Sequence, residues 1–214
     1  MHTPTTAIIP LRRPGAGKSR LAEVLSAAAR ARLATAMFGD VVAAARASSI
    51  DQVVAAADGP AAAEAASAAG AQAVLDPPDA DGLNGVIAAA LARVRADADV
   101  LIVAADLPRV TADDLEAVLA TPAPVVIAAT CGGGTGALLL RSGARLPTAY
   151  GPGSARRHRE IAASMGLEVA EVDRDGLHYD VDTWTDLVAL HAAELGPRTA
   201  GVLPTLLGGD LRAS

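Results

Sequence analysis

The amino-acid sequence predicts an α/β fold: a mostly parallel central sheet with helices on both faces. Three observations carry this expectation. Apolar segments of strand length alternate with helix-length segments over most of the chain, the pattern of repeated βαβ units. Val100, Leu101, Ile102, Val103, Ala104 and Ala105 form a run with no solvent-facing alternation, which suits a strand covered on both faces. Ala and Val dominate the core material and aromatics are only 2% of residues, so packing must come from helices lying close on a sheet. A chain of 214 residues can hold one domain with a full hydrophobic core. We read that core over residues 6–195, followed by a surface arm over 196–214.

In order, residues 6–11 read as the first strand and 21–47 as helix in two pieces, with Ser26 able to cap the second. Leu33, Met37 and Val41 fall at i, i+4 and i+8 and form one buried stripe. Residues 51–57 read as a strand, 60–69 as an Ala-rich helix ended by Gly70, and 71–75 as a third strand. The segment 76–82 is too rich in Pro, Asp and Gly for regular structure, and a helix follows it to about Arg95. After the strand at 100–105, Thr111 and Asp114 have the spacing of a capping box for a helix to Ala120. Residues 125–129 form another strand, 137–140 an extended piece, 155–165 a helix, 167–172 a strand, and a last helix begins near Trp184. Residues 131–152 hold extended pieces with no helix between them, which suggests a small antiparallel extension over the site.

Charge and cysteine content exclude several classes of function. The net charge of -6 argues against nucleic acid or an anionic membrane surface as a partner. A lone Cys131 cannot form an internal disulfide, which fits a reducing compartment. No charged leader precedes an apolar stretch, and no uncharged apolar run reaches the roughly 18 residues of a membrane span. A cytoplasmic protein is expected.

Chemistry-bearing residues gather at the ends of the strands. Asp106 closes the central apolar strand, where ligands collect in open α/β sheets, and is either a metal ligand or the start of a turn. Residues 12–20 carry four cations, Arg12, Arg13, Lys18 and Arg20, and either grip a nucleotide triphosphate or form a solvated basic turn. The spacing is not that of a Walker loop, because Arg12 stands where the first glycine is required. Asn84 offers both donor and acceptor groups to a base, or caps a helix. Ser154, placed to cap the helix that follows Gly151 and Gly153, makes an anion site with Arg156, Arg157 and His158, or a capped helix with a solvated basic face. Asp180 and Asp182, two apart on an extended segment, can converge on one ion, unless Asp182 or Thr183 only caps the next helix.

Six short motifs occur in one order: Lys18-Ser19-Arg20-Leu21, Gly82-Leu83-Asn84, Ala105-Asp106-Leu107-Pro108, Thr135-Gly136-Ala137-Leu138-Leu139-Leu140, Gly151-Pro152-Gly153-Ser154 and Asp180-Val181-Asp182-Thr183. In this the chain resembles the guanylyltransferases of deazaflavin coenzyme F420 biosynthesis, within the MobA-like nucleotidyltransferase group. The resemblance implies a nucleotide-diphospho-sugar-transferase-like fold. It also implies attack by the phosphate of phosphoenolpyruvate or 2-phospho-L-lactate on the α-phosphorus of GTP, with release of pyrophosphate. It assigns Asp106, Asp180 and Asp182 to Mg²⁺, two ions in all, and Lys18 and Arg20 to catalysis and the GTP phosphates. Gly82 and Asn84 would contact the nucleotide, while Thr135, Gly151 and Ser154 would hold the acceptor. The chain departs from the family's pattern at Cys131-Gly132-Gly133-Gly134-Thr135-Gly136, where side-chain contacts are lost. The competing readings are a small P-loop-like kinase on Gly17-Lys18-Ser19 and a non-catalytic nucleotide-binding or assembly protein. The choice of monomer or homodimer stays open.

Overall fold

Small side chains on alternate strand positions supply both faces of a seven-stranded sheet in the computed structural model, which describes residues 3–13, 19–75, 82–190 and 194–208. The first half winds as β1 (Thr5–Leu11), α1 (Ala27–Ala47), β2 (Gln52–Ala57), α2 (Pro60–Ala69), β3 (Gln72–Leu75), α3 (Gly82–Leu91) and β4 (Asp99–Val103). A 3-10 turn, Ser19–Leu21, precedes α1. The second half runs α4 (Ala112–Ala120), β5 (Val125–Ala129), β6 (Thr135–Leu140), α5 (Ser154–Ser164), β7 (Val169–Glu171), α6 (Asp175–His178), α7 (Trp184–Ala189) and α8 (Pro197–Gly208). The strand order is β3-β2-β1-β4-β6-β5-β7.

Local chemistry sets many of these boundaries. Ser26 accepts from the Ala29 amide and starts α1; Pro60 stands in the first turn of α2, and Gly70 ends it at φ 90°. Thr111 with Asp114, and Thr183 with Asp186, form reciprocal capping boxes on α4 and α7. Of Asp182 and Thr183, the two caps offered near Trp184, it is therefore Thr183 that caps.

The two faces fill separately. Ala7, Ile9 and Leu11 of β1 join Leu101, Val103 and Leu139 under α1, α2 and α4, where Phe38, Val41, Ala62, Leu115 and Val118 are buried. Ile8 points the other way and joins Val100, Ile102, Leu138 and Leu140 under α3 and α5. A third cluster seals α1 against α7 and α8 through Leu33, Met37, Leu187, Leu203 and Leu206. The stripe on α1 is thus shared, since Val41 faces the sheet while Leu33 and Met37 face the C-terminal helices. No helix among the described residues is long and apolar enough to cross a membrane.

Two expectations are corrected. The antiparallel element is no extension over the site: β6 is inserted inside the sheet, antiparallel to both β4 and β5. Its six residues are all buried, so a place in the core serves them better than an edge. Residues 197–208, read as a surface arm, form α8 and pack along α1. Asp40, 3% exposed, anchors the helix start by accepting from the amides of Arg198 at 3.0 Å and Thr199 at 2.8 Å.

Candidate active site

A cavity of about 490 Å³ opens at the carboxyl ends of β1 and β4, where a doubly wound sheet places its ligands. Arg12 and Arg13 reach it from just beyond β1, and Arg30 from α1. Asp106 lines it from beyond β4, and Asp182 from the segment before α7. Gly82 and Asn84 of α3 and the pair Tyr150-Gly151 complete the wall. Three cations and two carboxylates around one hollow are suited to a polyanion and a cation together.

The convergence of Asp106 with the later acidic pair is built into the backbone. The Val181 amide donates to the Asp106 carbonyl oxygen at 3.3 Å, so the residues on either side of Val181 are carried to the end of β4. Asp182 then faces the cavity. Asp180 is outside the lining, with its carboxylate against the turn between β5 and β6: Oδ2 is 3.9 Å from where a Cβ on Gly134 would stand. Among the described residues no three acidic, His or Cys side chains are assembled as a metal-holding group. Asp106, Asp180 and Asp182, expected to hold two Mg²⁺ ions, do not form such a group. Like charges do not gather unaided, and each of the three already engages another group.

Other expected site residues fall in different places. Lys18 lies outside the described residues, as do 76–81 of the loop before Gly82. Arg20 is exposed on the 3-10 turn and is not part of the cavity wall. Asn84 sits inside α3 and caps nothing. Its Oδ1 accepts from the Tyr150 amide at 2.7 Å and its Nδ2 donates to the Tyr150 carbonyl at 3.1 Å, so both ends of the amide hold backbone. Gly151, at φ 129°, keeps its expected place on the wall.

Ser154 does not take the cap position expected of it. Gly153, left-handed at φ 69°, takes the cap position and makes Ser154 the first residue of α5. Ser154 is 1% exposed and its Oγ is 2.8 Å from Thr135 Oγ1, which is itself 3.1 Å from His158 Nδ1. Neither hydroxyl lines the cavity. The glycines of this region also serve the protein before any ligand, because a Cβ at Gly136 would run into the Leu177 carbonyl oxygen.

Sequence reasoning missed Arg30, Tyr150 and the part His158 plays. A signal for Arg30 was present: Arg30, Ala34 and Met37 fall at i, i+4 and i+7, and all three line the cavity. The Arg30 Nε is buried with no hydrogen-bond partner among the described residues, while Nη1 donates to the Leu25 carbonyl at 2.9 Å.

A family model described as guanylyl transferase CofC-like matches residues 5–199. The chain belongs to this family. Within it, the chain is 46% identical over 124 residues to a phosphoenolpyruvate guanylyltransferase of Nocardia farcinica, a match covering 55% of this chain and 52% of that one. It is 35% identical over 135 residues to a 3-phospho-D-glycerate guanylyltransferase of Phenylobacterium zucineum, covering 60% and 62%. A 2-phospho-L-lactate guanylyltransferase of Haloarcula marismortui matches at 37% over 118 residues, covering 53% and 56%. The chain thus spans between half and two thirds of the length of these relatives.

Solved structures agree on the fold. A protein described as a nucleotide-diphospho-sugar transferase from Desulfovibrio desulfuricans superposes with a TM-score of 0.73 at 16% identity, covering 96% of this chain and 99% of that one. Glucosyl-3-phosphoglycerate synthase from Mycobacterium tuberculosis, solved with Mn²⁺, UDP and glucosyl-3-phosphoglycerate, superposes with a TM-score of 0.61 at 15% identity, covering 96% and 79%.

Proposed function

We propose that this chain transfers a guanylyl group from GTP to a three-carbon phosphoacid. An oxygen of the acceptor phosphate attacks the α-phosphorus, the bond to the β-phosphate bridge breaks, and pyrophosphate leaves. The observation that carries this reading is the cavity itself, where Asp106 and Asp182 face Arg12, Arg13 and Arg30 in a chain of the guanylyl transferase family. An ionised phosphate is already a nucleophile and needs no strong general base. Positioning and charge neutralisation can supply the catalysis.

In this reading Arg12, Arg13 and Arg30 bind the triphosphate of GTP, joined by Lys18 and Arg20 on the family resemblance. Asp106, Asp180 and Asp182 offer the hard oxygen donors that suit Mg²⁺. When bound, the ion would neutralise phosphate charge in the transition state. The acceptors named for the relatives, phosphoenolpyruvate, 2-phospho-L-lactate and 3-phospho-D-glycerate, all combine a phosphate with a nearby carboxylate. Gly151, whose backbone lies on the wall without a side chain, gives such an acceptor close approach. Use of 2-phospho-L-lactate or phosphoenolpyruvate would place the reaction in coenzyme F420 biosynthesis, and the exposed free Cys131 suits a reducing cytoplasm.

The test is to incubate the protein with Mg²⁺, each nucleoside triphosphate in turn and each of the three phosphoacids, and to weigh the products. A GMP adduct of one phosphoacid together with pyrophosphate is expected. Release of a nucleoside diphosphate would point to a kinase, and bound nucleotide without any product to a non-catalytic binder; either result overturns the reading.

A further inference from the structure

Apart from the Ser154 amide donating to the Gly151 carbonyl at 3.0 Å, the bonds that hold the stretch from Ala149 to Pro152, one wall of the cavity, come from side chains. Asn84 grips both the amide and the carbonyl of Tyr150. The Ala149 carbonyl accepts from Arg157 Nε at 3.1 Å and Nη2 at 2.7 Å, and the Pro152 carbonyl accepts from Arg157 Nη1. The Ala149 amide donates to His158 Nε2 at 2.9 Å. A backbone N–H can only donate, so Nε2 carries a lone pair and the one proton of the neutral ring sits on Nδ1. Nδ1 is 3.1 Å from Thr135 Oγ1, to which it therefore donates. The ring is fully buried, and burial foremost, with the charge of Arg157 second, pushes its pKa down to about 4. Tyr150 packs edge-on against it at 5.0 Å between ring centres.

We propose that His158 is a positioning residue for the acceptor side of the site. Its single neutral tautomer ties Ala149 of the strap to Thr135 at the start of β6 and so fixes where Tyr150 and Gly151 stand. This rests on the guanylyl-transfer reading, in which the acceptor meets that wall. The physical reason is preorganisation. Residues 141–153 contain no helix or strand, and an untied strap would have to be ordered each time the acceptor binds. The tie removes that cost from the binding step. His158 touches no reacting atom in this account.

The test compares His158→Phe with His158→Gln. Phe keeps the bulk and the ring contact but loses both hydrogen bonds; Gln restores an acceptor near the Nε2 position. In His158→Phe the acceptor KM should rise about tenfold while kcat and the GTP KM stay within about twofold, and Gln should recover much of the loss. Hydrogen exchange at the Ala149 and Tyr150 amides, measured without substrates, should quicken in the Phe variant. Equal rises in both KM values, or a fall in kcat at unchanged KM, would indicate a merely weakened fold and overturn the proposal. Unchanged exchange at both amides would overturn the tie itself. Wild-type protein that makes no adduct with any phosphoacid removes the guanylyl-transfer reading and the acceptor role together, a result separable from the exchange data. Should His158→Phe not fold, His158→Leu, which likewise offers no acceptor to the Ala149 amide, takes its place, and the same KM split and loss of Tyr150 protection are expected.

Discussion

The carbonyl oxygen of Asp106 accepts the amide hydrogen of Val181 at 3.3 Å. This one bond between residues 75 positions apart (181 − 106) joins the end of β4 to the segment that carries Asp180 and Asp182. Two regions of the same charge are held side by side by neutral backbone. The backbone bond brings the acidic residues of the two segments near one another without a cation.

In the proposed reaction, Asp106→Asn and Asp182→Asn should each cut guanylyl transfer by roughly a hundredfold or more while the fold is retained. The amide is isosteric and leaves the backbone bond in place. Steady-state kinetics beside a melting curve check this, and near-normal kcat in either variant would remove that residue from the metal role.

Arg30 is the cation that reaches the cavity from α1. Arg30→Gln should raise the GTP KM by about tenfold with little change in acceptor KM, since one charge-assisted contact to phosphate is lost. The wild-type GTP KM should also rise with salt more steeply than that of the variant. Kinetics at two ionic strengths test both statements.

His158 titrates near 4 in the folded chain, against 6.5 for the free side chain. The unfolded chain thus binds more protons between these values, so the stability due to the neutral ring is complete above about pH 6.5 and drains away as pH falls toward 4. The slope is at most roughly 1.4 kcal/mol per pH unit. Groups facing the ring are Arg157, which opposes its protonation, and the uncharged Thr135 and Tyr150. Urea unfolding of wild type and His158→Gln across this range should show the extra slope only in the wild type.

Asp40→Ala should cost about 2 kcal/mol or more, because the amides of Arg198 and Thr199 lose their shared acceptor in a buried place. Protease sensitivity between Pro197 and Gly208 should rise with it. Full resistance there would mean that the apolar contacts of Leu203 and Leu206 alone hold α8.

Gly136→Ala should destabilise by about 2 kcal/mol or more, since the new methyl meets the rigid Leu177 carbonyl. Gly132→Ala, where nothing lies within 4 Å, should change stability by no more than about 0.5 kcal/mol. Denaturant titration of the pair separates tight approach from mere loop flexibility.

Much of the framework was legible because its signals are local. Unbroken apolar runs marked β1, β4 and β5, while Ser26, Gly70 and the Thr111–Asp114 pair marked helix ends by chemistry confined to a few residues. The place of β6 was not legible, since strand order is decided by partners far along the chain. Ser154 misled because the neighbouring Gly153 could adopt the left-handed cap conformation and turn the hydroxyl inward. Asp106 was singled out by its place at a strand end and Asp182 by its spacing from Asp180, whereas Arg30 lay in the first turn of α1, where a cation ordinarily faces water.

Insertion of β6 between β4 and β5 has a consequence for how the chain is made. As the polypeptide leaves the ribosome, β5 emerges before its bridge to β4 exists, and Leu101 and Ile102 border a raw sheet margin until residue 140 has appeared. For that interval the nascent half-sheet could recruit a foreign strand in place of its own. Pauses that hold the chain with residue 103 outside the ribosome and residue 140 still inside would prolong the hazard, and later pauses would not.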